Sequence, residues 1–224
     1  MLATLRQTAE LGEFFRSKGV RQVFKKGDFI SQPGKSLNGV FYISKGMVKA
    51  YTVTKYSEEN LLIIRKIDEI FPLIWALTRQ DSDIVSDVTY SAMVETEVWH
   101  VDREEFMKFV ESDINALTAI LDMTIEMYRL HSERIINLEY RSVRERIISF
   151  LLTMSSRFGE STANGILINV PLRHQDIASS VNATRETTSR ELSNLERKGW
   201  LSTKQSLITL VDIEQLKKHL ASRA

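Results

Sequence analysis

From residue 113 onward the chain falls into a strict rhythm. Ile114, Leu117, Leu121, Thr124, Tyr128, His131, Ile135 and Leu138 follow one another at alternating steps of three and four. Such steps mark one face of a helix, and about three and a half heptads in succession require a single long helix rather than a short core element. A second stripe, Ile120, Met123, Met127 and Leu130, lies beside the first. One stripe can pack on the chain's own domain while the other meets the same stripe of a second copy. A helix that covers its own domain with both stripes is the alternative. Polar Thr124 and His131 would weaken a paired seam while fixing its register, and a histidine there could couple pH to pairing.

This helix divides the chain. Before it, over roughly residues 20–102, brief runs such as Gly39–Ser44, Met47–Thr54, Asn60–Ile67 and Glu97–Asp102 are separated by polar turns marked by Gly27, Gly34 and Gly46. Many short strands predict a sandwich or small barrel. After it, 137–141 interrupts the seam and reads as a hinge. Val143, Ile147, Ile148, Leu151 and Leu152 then form an amphipathic helix. Residues 159–165 read as a loop with an Asn-Gly turn.

Val170–Trp200 carries two helical patterns across a tight connection. The first runs through Asp176, Ile177, Ala178 and Ser179; the second opens at Thr184, repeats apolar residues at Leu192 and Leu195, and stops at Gly199. This is a helix-turn-helix pattern. Thr184 suits an N-cap, and Arg185, Glu186 and Arg190 stand on the first turns of the second helix. Arginine can donate two hydrogen bonds to guanine O6 and N7, and glutamate can accept from cytosine N4, so the trio suits a G·C-rich core. The same charges would also serve an ordinary solvated face. Trp200–Ser202 and Leu207–Val211 predict two strands joined at 203–206, a wing with Lys204 at its tip placed for a phosphate, and Glu214–Leu220 predicts a closing helix. Residues 138–224 carry 13 Lys/Arg against 9 Asp/Glu, whereas residues 1–137 carry 17 against 20, so the positive part is the one that would meet phosphates.

The run RHQDIASSVNATRETTSRELSNLERKGWL resembles the DNA-binding signature of the Crp/Fnr family of bacterial transcription regulators. In that family the positions of Arg185, Glu186 and Arg190 read bases, and the target is a palindrome of TGTGA type. The family has Thr and often Arg where Arg173 and His174 stand here. Thr184, Arg173, His174, Gln175, Thr188 and Lys204 complete the candidate DNA contacts. Upstream, KKGDFISQPGKSLNGVFYISKGMVKAY resembles the start of the β-roll of cyclic-nucleotide-binding domains. The phosphate cassette of those domains carries a Gly-Glu and an Arg-Ser pair. Here the matching positions are Trp75-Ala76 and Ser86-Asp87, so a phosphate would lose its arginine and face a carboxylate.

In place of the cassette stands IFPLIWAL. Phe71, Leu73, Trp75 and Tyr90 could line a pocket for a small apolar or aromatic effector, with Arg79 available to an anionic group. The alternative is that these side chains only fill the roll. The resemblance to cyclic-nucleotide-binding regulators implies that His131 and Ser132 of the long helix, with Met127 a turn before them, meet the ligand across the dimer, so that His131 could couple an effector to pairing. The absence of cysteine excludes disulfides, zinc–thiolate sites and the thiolate-held iron–sulfur clusters through which several Crp/Fnr proteins sense oxygen. No arrangement of catalytic or metal-binding residues stands out, so neither an enzyme nor a bound cofactor is expected.

The expected fold is α+β: a cyclic-nucleotide-binding-like β-roll sensor (1–112), a dimerisation helix and hinge (113–138), and a winged helix-turn-helix (139–224). The dimer seam is expected at Leu117, Leu121, Thr124, Tyr128, His131 and Ile135. The expected function is a cytoplasmic regulator that binds double-stranded DNA as a homodimer, with RNA polymerase and an unknown small effector as further candidate partners. Neither an apolar span nor a signal-peptide core is evident, so no membrane association is expected. A small-molecule-binding signalling module acting on a protein partner is the competing reading; sequence-selective DNA binding separates the two.

Overall fold

Short strands with apolar residues on both faces need cover on both sides, and the first part of the chain supplies it. A computed structural model describes residues 2–34, 39–55, 58–78 and 87–221, in which the chain forms two compact units, Met1–Arg129 and Leu130–Ala224.

The first unit begins with α1 (Leu2–Lys18) and continues through β1 (Val20–Phe24), β2 (Phe29–Ser31), β3 (Gly39–Lys45), β4 (Val48–Val53), β5 (Glu59–Arg65), β6 (Ile70–Phe71), α2 (Leu73–Leu77), β7 (Thr89–Ala92) and β8 (Thr96–Asp102). Two four-stranded antiparallel sheets result, ordered β1-β8-β3-β6 and β2-β7-β4-β5. In β3 the pleat splits a continuous apolar run between two cores. Phe41 and Ile43 join Val48, Ala50, Phe71, Tyr90 and Val98 inside the roll. Val40 and Tyr42 turn outward, where Leu11 and Phe15 of α1 cover them. The same outer core takes in Phe106 and Val110 of α3 (Arg103–Ser112) and Ala116, Ala119 and Ile120 of α4 (Ile114–Tyr140). Gly46 makes the β3–β4 corner at φ 89°, and a Cβ there would sit 2.5 Å from the Glu95 carbonyl oxygen, so only glycine fits.

The long helix is present, but the break lies later than expected: α4 runs through Tyr140, and the chain leaves helix at Arg141–Ser142. The reason is Ser142, which caps α5 (Val143–Phe158) in a capping box with Glu145. The segment expected as a loop at 159–165 is instead mostly strand. β9 (Gly159–Thr162) pairs with β10 (Gly165–Ile168), and its residues are exposed throughout, which is why it shows no apolar alternation. The helices α6 (His174–Ser180) and α7 (Arg185–Arg197) follow, then β11 (Leu201–Lys204), β12 (Leu207–Leu210) and α8 (Ile213–Ala221). The second unit's sheet is ordered β11-β12-β10-β9. Its core gathers Ile147, Ile148 and Leu151 from α5, Ile177 and Ala178 from α6, and Leu192 and Leu195 from α7. Among the described residues no helix is long and apolar enough to cross a membrane.

Candidate nucleic-acid interface

Helix α7 is set at its start by Thr184, whose Oγ1 accepts from the Thr187 amide at 3.1 Å. Its inner face is Thr188, Leu192 and Leu195, all buried. The opposite face leaves Glu186, Arg190, Ser193 and Arg197 exposed, with Arg185 exposed beside them. The three expected base readers therefore share the open side of one helix end, where arginine and glutamate can reach base edges. Ser193 stands on the same strip, three residues beyond Arg190. A search by residue type passes over it because serine is common on any helix surface; its phase relative to Leu192 is the signal that finds it.

Thr188 is corrected. It is 0 % exposed, and its hydroxyl has no hydrogen-bond partner among the described residues. Four residues before Leu192 and seven before Leu195, it belongs to the core stripe and cannot touch a groove.

Arg173 precedes α6 and is bound to it. Its amide donates to Asp176 at 2.9 Å, and its guanidinium donates to both carboxylate oxygens of the same residue at 3.0 and 2.9 Å. Asp176 is buried, so this pair seals the start of α6 while the arginine side chain stays largely open. His174 Nδ1 lies 2.7 Å from Ser189 Oγ, joining the first residue of α6 to the second turn of α7. Gln175 is exposed on the same helix start.

Three arginines and a glutamate seat these helices. Arg144 of α5 donates from Nε to Glu191 of α7 at 2.6 Å. Arg146 donates to the Val181 carbonyl at 2.6 Å and to the Asn182 carbonyl at 3.3 Å, closing the turn after α6. Arg134 of α4 donates to the Ser179 carbonyl at 3.4 Å. Gly199 at φ 72° ends α7, its amide bonded to the Glu196 carbonyl at 2.8 Å.

The wing strands β11 and β12 pair from Leu201↔Leu210 to Lys204↔Leu207. The turn is tighter than expected, only Gln205 and Ser206, both with positive φ (51° and 65°). Lys204 is exposed next to that turn, and the Leu172 amide donates to the Ser206 carbonyl at 2.9 Å, tying the wing to the segment before α6.

The expected effector pocket is not one wall. Phe71 and Tyr90 stack at 4.9 Å inside the roll, whereas Leu73 lies in the outer core and Trp75 packs against that core. Between them the chain turns at Pro72 from strand to helix, so the alternation that would align these residues ends there. Arg79 lies outside the described residues. Among the described residues Arg65 lies near Tyr90: burial pushes the Tyr90 hydroxyl up to about 12, and the Arg65 charge acts in the opposite direction. Arg65 is itself buried, donates to the Met127 sulfur at 3.1 Å and pairs with Glu69 at 3.6 Å. Met127 belongs to the first unit; His131 and Ser132, both half-buried, belong to the second.

On α4 the two stripes differ. Ile120 and Met127 are buried and Met123 packs on the outer core. Leu117, Leu121, Tyr128 and Ile135 keep 47, 54, 74 and 57 % of their surface open, with half-buried Thr124 and His131 between them. The Thr124 hydroxyl donates to the Ile120 carbonyl at 2.8 Å. The described residues hold no group of three or more His, Cys, Asp or Glu placed to bind a metal ion.

Family models for a cyclic nucleotide-binding domain and a Crp-like helix-turn-helix domain match residues 21–113 and 145–219. The chain is 30% identical over 198 residues to the global nitrogen regulator of Nostoc sp., covering 85% of each chain. It is 24% identical over 195 residues to the CRP-like cAMP-activated global transcriptional regulator of Mycobacterium tuberculosis, covering 86% of this chain and 84% of the other. Its fold is similar to that of FixK2 from Bradyrhizobium japonicum, with a TM-score of 0.75, 22% identity, and coverage of 89% of this chain and 96% of the other.

Proposed function

Because the chain belongs to the Crp/Fnr family of DNA-binding transcription regulators, we propose that it acts as a homodimer that reads a palindrome built from two inverted TGTGA-like half-sites. The observation that carries this reading is the open face of α7, where Arg185, Glu186 and Arg190 stand exposed over a buried stripe of Thr188, Leu192 and Leu195. Lys204 on the wing supplies a charge suited to a phosphate, with Gln175 and His174 at the start of α6 as further candidate contacts.

Pairing along α4 is supported by the contrast between its stripes, since Leu117, Leu121, Tyr128 and Ile135 remain uncovered while in the neighbouring stripe Ile120 and Met127 are buried and Met123 and Leu130 half-buried. A two-fold pair would set two recognition helices about 34 Å apart, one helical turn of DNA, and so demand a symmetric site. Control by an effector other than a cyclic nucleotide is part of the proposal. The cassette's glutamate position is Ala76, fully buried in an apolar core, and its neighbour Trp75 lies under Arg103 at 5.5 Å. The cytoplasm is the compartment, and RNA polymerase is the partner through which transcription would respond.

The test is equilibrium binding of the full chain to a duplex with two inverted TGTGA half-sites and to an unrelated duplex at the same salt. The specific duplex is expected to bind on the order of a thousandfold tighter. Equal affinity would remove the sequence-reading role.

A further inference from the structure

Within the second unit, the last turns of α4 meet the DNA reader through directional polar contacts. Glu133 Oε1 accepts from Ser149 Oγ and Thr153 Oγ1 of α5, both at 3.3 Å. Asn137 Nδ2 donates to the same Ser149 Oγ at 2.9 Å, and Ser149 is buried. Arg134, between them in sequence, donates to the Ser179 carbonyl near the end of α6. That helix end has orphan carbonyls to satisfy. Arg146 of α5 takes those of Val181 and Asn182, and Arg134 gives a direct hydrogen bond from α4 to the helix-turn-helix.

Meanwhile the large apolar side chains of this stretch, Ile135, Ile136 and Leu138, point to solvent. Apolar contact is non-directional and tolerates sliding. A hydrogen bond weakens steeply with angle, so a joint made of them holds one orientation. Burial also lowers the proton affinity of the Arg134 guanidinium, which marks a group drawn out of water into the joint.

We propose that Arg134 is a positioning residue for DNA recognition: acting beside Glu133 and Asn137, whose bonds hold the end of α4 to α5, it fixes the direction of the helix-turn-helix relative to the end of α4. In a pair of chains joined along α4 it thereby sets the spacing at which two half-sites can be read together. The inference rests on the dimer reading above. Arg134 touches no DNA and has no role in base choice.

The experiment measures binding of the full chain to duplexes whose half-sites stand at the preferred spacing or one base pair nearer or farther. One base pair rotates and shifts a half-site enough that the native protein is expected to lose on the order of tenfold. Arg134→Met keeps the apolar stem and removes the donors. It is expected to bring the ratio between spacings toward one, while discrimination against a swapped base within a half-site stays native. Arg134→Lys should retain most of the spacing preference. If the Met variant does not fold, Asn137→Ala is read in the same way. Uniform weakening at all spacings with the ratio unchanged would overturn the inference. Indifference to spacing in the native protein would instead overturn the dimer reading, and this inference with it.

Discussion

Arg185 and Lys204 are both exposed cations on the second unit, and the proposed function gives them different tasks. Arg185 opens a helix suited to the major groove, so Arg185→Ala should lower discrimination at one G·C pair by about 1–3 kcal/mol. Lys204 sits beside a two-residue turn, and Lys204→Ala should weaken every duplex alike and lessen the salt slope by about 1. Titrations over several salt concentrations with matched and swapped duplexes separate the two; equal loss of specificity from both would contradict the assignment. Thr188 gives a further residue-scale prediction. Its hydroxyl is buried without a partner among the described residues, so Thr188→Val should stabilise the unit by up to about 1 kcal/mol in denaturant unfolding and leave DNA affinity unchanged. A fall in affinity would return Thr188 to the interface. The difference between Thr188 and Arg190 was legible in part: residue types identified both as polar, but only the phase set by Leu192 and Leu195 decides which one faces inward.

At the scale of elements, α4 and α7 could be read from sequence because their information is local: heptad spacing for the first, caps and charged first turns for the second. The two-core layout could not. Phe71 and Leu73 are two residues apart, which in a strand would align them, but β6 ends at Phe71 and α2 begins at Leu73, sending one into the roll and the other into the outer core. The edge strand β9 was likewise hidden, since a strand exposed on both faces shows no alternation. Polar joints are harder still, because Arg134 and Ser179 stand 45 positions apart and nothing in either neighbourhood marks the other. The exposed stripe of α4 yields an element-scale test. Leu121→Asp changes a residue that is open in the single chain, so it should leave each chain folded while placing an unpaired carboxylate in the seam, a penalty of several kcal/mol. Sedimentation velocity should show loss of the dimer with native helical content. A dimer that persists would move the seam elsewhere.

For the molecule as a whole, the two compact units are a roll with a buried apolar interior and a helix-turn-helix unit that leaves Arg185, Glu186 and Arg190 open. The chain's membership in the Crp/Fnr family makes the second unit a DNA-binding one, and we propose that the roll answers to an effector other than a cyclic nucleotide. The central claim is that two chains act together on one symmetric site. It is tested most directly by titrating the full chain against the symmetric duplex and against the same duplex with one half-site scrambled, with the stoichiometry of each complex measured alongside. The account predicts two chains per symmetric duplex and a loss of at least about a hundredfold when one half-site is scrambled. One chain per duplex, with equal affinity for both, would contradict it.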